Sequence, residues 1–154
     1  MILKIEKYGS EKLRVPAQKV AVTPELVVLA EDMLETMYKA KGVGLAAEQV
    51  GRTEALCVID VPLSCEDDEE TKMFNAGVEQ PLVMFNPEIV KQAEPYETEE
   101  SCLSLLGGPR KTRRFQKIKV RWQTKDFQPR IKTFTGYTAQ IIQHEIDHLS
   151  GIII

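Results

Sequence analysis

The stretch TGYTAQIIQHEIDHLSG, Thr135 to Gly151, decides how the rest of the chain must be arranged. It holds both histidines of the protein, His144 and His148, four positions apart with Glu145 between them. Its spacing predicts a helix from about Thr135 to Ser150, with Gly151 where a left-handed terminating residue is usual. At about 100° per residue, Tyr137, Ile141, His144 and His148 share one face, and Ile142, Ile146 and Leu149 share the opposite one. Such a helix belongs at the centre of a molecule, packed on a sheet with one side and lining a pocket with the other.

His144, Glu145 and His148 satisfy H-E-x-x-H. On a helix this puts two imidazoles one turn apart, where they can share a metal ion, and holds the glutamate over a water as general base. A catalytic site of this kind needs a third protein ligand and an open position. No third histidine exists, and the sequence ends six residues after His148. The ligand that zinc proteases with this motif take from downstream has no place here, so the third one is expected upstream as Cys, Asp or Glu.

Three cysteines are available. Cys57 lies inside an apolar run and reads as a small buried hydrophobe. Cys65 begins an acidic run and reads as exposed. Cys102 sits among polar and turn residues in ETEESCLSLLGGPR, residues 97 to 110, and composition makes it a candidate without deciding the matter. Another stretch, KGVGLAAEQVG at 41 to 51, has glycines that permit close backbone approach and small alanines beside Gln49. It reads equally as a helix terminus and turn with Gln49 in solvent. It is no phosphate loop, since the lysine and the following helix start are missing.

The surroundings are those of an α+β fold. A first helix opens at Thr23 as N-cap with Pro24 at its first position, buries Leu26, Leu29, Ala30, Met33 and Met37, and stops at Gly42. Strands are expected in LCVIDV at 56 to 61, LVMFN at 82 to 86, KIKVRWQ at 117 to 123 and the following RIKTFT. They lack a regular βαβ rhythm, so mainly antiparallel pairing is expected. The acidic run SCEDDEETK at 64 to 72 reads as a solvated loop, because it lacks the glycine and spacing of a calcium loop.

The 154 residues suit one domain, 1–154, able to bury a core without disulfides. A net charge of -3 gives no basic surplus for nucleic acid. The start has no apolar run of signal-peptide length, and no run approaches the roughly 20 residues of a membrane span. An odd number of scattered cysteines fits a reducing compartment, so a cytoplasmic location without membrane contact is expected.

Together and in this order, the three motifs resemble the peptide deformylase family. Its signatures, G-hydrophobic-G-hydrophobic-A-x-Q, E-G-C-hydrophobic-S and Q-H-E-hydrophobic-D-H, stand here as GVGLAAEQ, ESCLS and QHEIDH. The likeness extends from YGSEKLR near the start through FNPEIV to the last residue. It implies mainly antiparallel sheets around a central metal-binding helix. Cys102, His144 and His148 become ligands of one divalent metal per chain, ferrous iron by family, with nickel, cobalt or zinc able to substitute. Glu145 becomes the acid/base, and Gln49 with the Leu103 N–H the donors to an oxyanion.

Val43, Gly44, Glu100, Ser101, Tyr137 and Ile141 are placed around the substrate by the same resemblance. Val43, Tyr137 and Ile141 face its first side chain, a methionine. Glu100 is expected to pair with Arg113 or Arg114, and Asp147 either orients a neighbour or makes a surface salt bridge. The implied reaction removes the N-formyl group from the N-terminal methionine of new polypeptides, met near the ribosome exit region. Two alternatives remain: a metallohydrolase acting on another acylated amine or peptide, and a non-catalytic metal-binding module. Glu145 and Gln49 argue against the module, since a purely structural site needs neither a base nor an oxyanion donor.

The match departs from the family at three points. Ser101 stands where glycine is usual, and a left-handed backbone there would cost about 1–2 kcal/mol. Leu105 and Leu106 replace a hydrophobic-Pro pair. The C-terminal helix with which many deformylases continue is absent from this sequence, which reads as a short form or as a chain cut short.

Overall fold

The computed structural model describes residues 1–7, 10–66, 68–75, 80–101 and 109–152, with Leu63 given by its backbone alone. Cys102, Leu103, Leu105 and Leu106 therefore lie outside the described residues. The elements are α1 (Pro24–Lys39), β1 (Gly44–Ala46), β2 (Leu56–Ile59), α2 (Glu69–Asn75), β3 (Leu82–Glu100), β4 (Arg110–Gln123), β5 (Pro129–Thr135) and α3 (Gly136–Leu149). The five strands form one antiparallel sheet whose spatial order is the chain order. This is the expected α+β class, with one sheet beside the helix.

The Thr23 hydroxyl starts α1 by accepting the Leu26 N–H at 3.3 Å, and Pro24 fills the first position, where a missing N–H costs nothing. The helix ends at Lys39, three residues before the expected Gly42. Lys41 takes the left-handed turn with φ 59°, and the Gly42 N–H reaches Met37 O at 2.9 Å.

β2 is apolar without interruption because both of its faces are covered. Leu56 and Val58 join Met33, Met37 and Phe85 under α1. Cys57 and Ile59 join Met84, Phe134 and Ile142 under α3. Each such fully buried side chain contributes about 1.5–3 kcal/mol.

β3 runs far beyond the expected Asn86. That residue adopts φ 52° at a register shift, and its side chain accepts the Val20 N–H at 2.8 Å and donates to Val20 O at 2.7 Å. Beyond this bulge β3 and β4 continue as a long hairpin to the pair Glu100 and Arg110. The hairpin carries Glu100 and Arg114 to the polar face of α3.

The acidic run is not a plain solvated loop. It contains a 3-10 turn at Leu63–Cys65 and most of α2, which Asp68 caps by accepting the Thr71 N–H at 2.7 Å. Glu66, the first acid of the run, is buried against the start of α3, where four donors meet its carboxylate. No helix among the described residues is long and apolar enough to cross a membrane.

Candidate active site

On α3 the two imidazoles are buried and face each other, with Nε2 atoms 3.1 Å apart. Behind His144, its Nδ1 lies 2.9 Å from Glu100 Oε1. Burial alone would raise the Glu100 pKa, but hydrogen bonds from His144 and Arg114 outweigh it and hold the carboxyl at about 2. An ionised carboxylate only accepts, so His144 Nδ1 carries the proton and its Nε2 lone pair is turned toward His148. Burial, with His144 and Arg114 adding to it, pushes His148 down to about 3, which keeps that ring neutral.

Arg114 is the centre of this support. It donates through Nε to Glu100 Oε2 at 2.9 Å, through Nη2 to Glu100 Oε1 at 2.6 Å, and through Nη1 to Asp147 Oδ2 at 2.5 Å. Asp147 is thus neither idle nor a simple surface pair: with Arg114 and Glu100 it forms a chain of charges ending on His144. Of the two arginines suggested by the sequence, Arg114 makes the pair. Glu100 lies behind the histidine, away from the substrate-side cavity where the resemblance had placed it.

Gln143 supplies a contact that sequence reasoning missed. Its Oε1 accepts the Phe115 N–H at 2.8 Å and its Nε2 donates to Phe115 O at 2.8 Å, so the helix is stitched to the main chain of β4. The residue before Phe115 is Arg114 and the residue after Gln143 is His144, which fixes arginine and histidine side by side. The only hint in the sequence was a glutamine on a helix otherwise facing apolar neighbours.

In front of the histidines, Glu145 is 3% exposed, and burial, partly offset by His144, raises its pKa to about 7. Its Oε1 makes no hydrogen bond among the described residues. Gly44 lies directly against it: a Cβ at that position would stand 2.4 Å from Glu145 Oε2. Gln49, 1% exposed rather than in solvent, accepts the Ala46 N–H at 2.9 Å through Oε1. This bond decides the orientation of the amide and makes Nε2 its donor end; Gln49 is not among the residues that line the cavity beside Glu145.

A cavity of about 310 Å³ opens here, lined by the run from Lys41 to Gly44 together with Ser101, Tyr137, Ile141, His144 and Glu145. Ser101 is not among the described residues with a left-handed backbone, so serine carries no such strain there. A larger hollow of about 780 Å³ around Pro81, Trp122 and Arg130 shares none of these residues and contains no histidine or cysteine. The chemistry belongs to the smaller one.

The polypeptide deformylase family model matches residues 2–154. The chain belongs to the peptide deformylase family. A peptide deformylase of Salinibacter ruber is 40% identical over 99% of this chain and 78% of its own length. A peptide deformylase structure from Ehrlichia chaffeensis superposes with a TM-score of 0.88 at 34% identity, covering 99% of this chain and 86% of that one. A Met-Ala-Ser-bound deformylase from Acinetobacter baumannii gives 0.85 at 30% identity, covering 99% and 96%.

Peptide deformylases are metalloenzymes, and the residues present fit a metal. Two nitrogens bound to one ion at about 2.0–2.1 Å in a tetrahedral site lie about 3.3 Å apart, close to the 3.1 Å between the Nε2 atoms. A hydrogen bond between two neutral imidazoles uses one lone pair, whereas a cation between them uses both. Among the described residues no third Cys, Asp or Glu completes the set. Cys102 and Leu103 of the deformylase signature lie outside them.

Proposed function

We infer that this chain removes the N-formyl group from the N-terminal methionine of newly made polypeptides, releasing formate and a free amine. The observation that carries this reading is Glu145: a buried carboxylate near neutrality, on the same helix as two converging imidazoles and open to a cavity of peptide side-chain size. The same groups are what hydrolysis of a small amide demands.

His144, His148 and Cys102 would hold the metal, with ferrous iron as the resident ion and nickel, cobalt or zinc as substitutes. When bound, it supplies Lewis acidity and lowers the pKa of the attacking water. Glu145 accepts the proton as that water attacks the formyl carbon, then delivers it to the departing amine nitrogen as the C–N bond breaks. Gln49 Nε2 and the Leu103 N–H donate to the carbonyl oxygen as negative charge gathers there; one such donor is worth around 3 kcal/mol. Val43, Tyr137 and Ile141 enclose the methionine side chain. Residues 1–154 act as one catalytic domain, in the cytoplasm, on nascent chains near the ribosome exit.

Protein purified without oxygen tests this. It is expected to carry about one transition metal per chain and to release formate from formyl-Met-Ala-Ser while leaving acetyl-Met-Ala-Ser intact. Cys102→Ser, His144→Ala and His148→Ala are each expected to lose the metal, and Cys65→Ser to keep it. Full metal in Cys102→Ser would overturn the ligand set. A metal-loaded parent without turnover of either peptide would leave the binding module or a hydrolase for another acylated amine.

A further inference from the structure

We propose that Glu66 and Asn75, from the segment between β2 and β3, set the position of the first turn of α3 and thereby the shape of the pocket for the substrate's first side chain. They are specificity-determining positioning residues. The inference rests on the formyl-peptide reading above and assigns a selectivity device to it.

The first N–H groups of a helix have no partners within it, and the N-cap of α3 provides none, since the Thr135 hydroxyl makes no capping bond. Glu66 reaches in from a distant part of the chain instead. Its Oε2 accepts the Tyr137 N–H at 2.8 Å, and its Oε1 accepts the Thr138 N–H at 2.7 Å and the Thr138 hydroxyl at 2.6 Å. Asn75 holds the residue before the helix from both sides: Nδ2 donates to Thr135 O at 3.0 Å, and Oδ1 accepts the Thr135 N–H at 3.2 Å. The same Nδ2 ties Asn75 to Glu66 at 3.2 Å. Both side chains are buried, at 4% and 2% exposure.

Gly136 lets the pair close. Its φ is 66°, and a Cβ there would stand 2.4 Å from Glu66 Oε2 and 2.6 Å from Thr71 Cγ2. The segment is itself anchored to the sheet, because Lys132 of β5 donates to Phe74 O at 3.1 Å and lies over the Phe74 and Phe134 rings.

The N–H that Glu66 holds belongs to Tyr137, a wall of the cavity. Tyr137 lies eight residues before Glu145, about 12 Å along the helix axis. The half of α3 that bears Glu145 and the histidines has separate fastenings, Gln143 to Phe115 and Glu100 with Arg114 to His144. Loosening the first turn therefore displaces the pocket wall while the reacting groups stay in place. The expected consequence is a change in side-chain selection without a matching loss in the chemical step.

Glu66→Ala and Asn75→Ala test this in the full, metal-loaded chain, with formyl-Met-Ala-Ser and formyl-Ala-Ala-Ser as substrates. For formyl-Met-Ala-Ser, KM is expected to rise about tenfold with kcat changed less than threefold, and the preference for Met over Ala to shrink by a similar factor. Metal content is expected to stay at one per chain. Glu66→Gln keeps one acceptor oxygen but turns an NH2 toward either the Tyr137 N–H or the Thr138 donors, so it is expected to shift KM and preference in the same direction as Glu66→Ala, by less. Folded variants with unchanged KM and preference overturn the proposal, as does a parallel loss of kcat and metal. If Glu66→Ala does not fold, Asn75→Ala and Glu66→Gln decide, and parental selectivity in both overturns it. A metal-loaded parent without turnover defeats the functional reading alone. Calorimetric binding of Met-Ala-Ser against Ala-Ala-Ser then reads the pocket, with a smaller ratio in the variants supporting the proposal and an equal ratio, or no binding by the parent, overturning it.

Discussion

Two buried carboxylates flank the histidine pair, and the protein treats them in opposite ways. Behind His144, Glu100 receives Arg114 through two hydrogen bonds and His144 through a third, and its pKa falls to about 2 despite burial. In front, Glu145 meets a glycine and a cavity, and its pKa rises to about 7. Burial is common to both, so the partners decide. A permanently ionised group suits the fixing of a tautomer and an orientation, whereas a group that titrates near neutrality suits carrying a proton.

The largest break in this contrast is Glu145→Gln. Glutamine has nearly the same volume and no acid chemistry, so fold and metal content are expected to persist while kcat falls by about 10²-fold or more. Turnover is compared at matched metal content; parental turnover by this variant would end the role argued for Glu145.

Gly44→Ala attacks the same carboxylate without changing its chemistry. The new methyl would sit 2.4 Å from Glu145 Oε2, which must swing away. Because the displaced atom ends a flexible side chain, stability is expected to change little, while misplacement of the proton carrier by an ångström costs roughly 10²-fold in kcat. A large fall in Tm with kcat retained would show that the glycine serves packing instead.

On the other side, Glu100→Gln removes the charge that orients His144 and leaves Arg114 with Asp147 alone. Metal affinity is expected to fall about 10- to 100-fold, the usual consequence of losing the partner of a ligating histidine. Chelator competition followed by metal analysis reads it. Undiminished affinity would confine Glu100 to a structural ion pair.

How far the sequence revealed these two sides depended on how local the causes were. H-E-x-x-H fixes its own geometry through helical spacing, so the front of the site and the helix bounds were legible. So were Cys57 in the core and Thr23 as a cap, each a matter of neighbouring residues. The support behind His144 was only half legible, since the choice of Arg114 over Arg113 depends on which face of β4 meets α3. The register of a hairpin whose strands run well past their apolar parts sets that. Glu66 was not legible at all. Five acids in a row look alike by composition, and what singles out the first is a set of unpaired N–H groups some seventy residues away. The extension of β3 beyond Asn86 was hidden similarly, because a left-handed asparagine before proline reads locally as an end.

A third carboxylate carries the comparison to a place where no reaction is assigned. Glu48, beside Gln49, is fully buried, and neither of its oxygens makes a hydrogen bond among the described residues. Burial pushes it up from 4.5 to about 8, and the nearby Ala17 N–H offsets this only partly because it donates to Leu149 O at 2.7 Å. Between those two pH values the folded chain keeps the proton and the unfolded chain has released it, so stability falls as pH rises across the window. The full contribution is present below 4.5, and the loss is complete above about 8. Relaxation of the site and water entry on ionisation reduce the effect to about 1–2 kcal/mol. Glu48→Gln removes the titration and nothing else of similar size. Its Tm relative to the parent is expected to climb by a few degrees from pH 5 to pH 8 and then level off, at equal metal loading throughout. Parallel melting curves over that range would mean that Glu48 finds a partner in solution and that burial does not govern it.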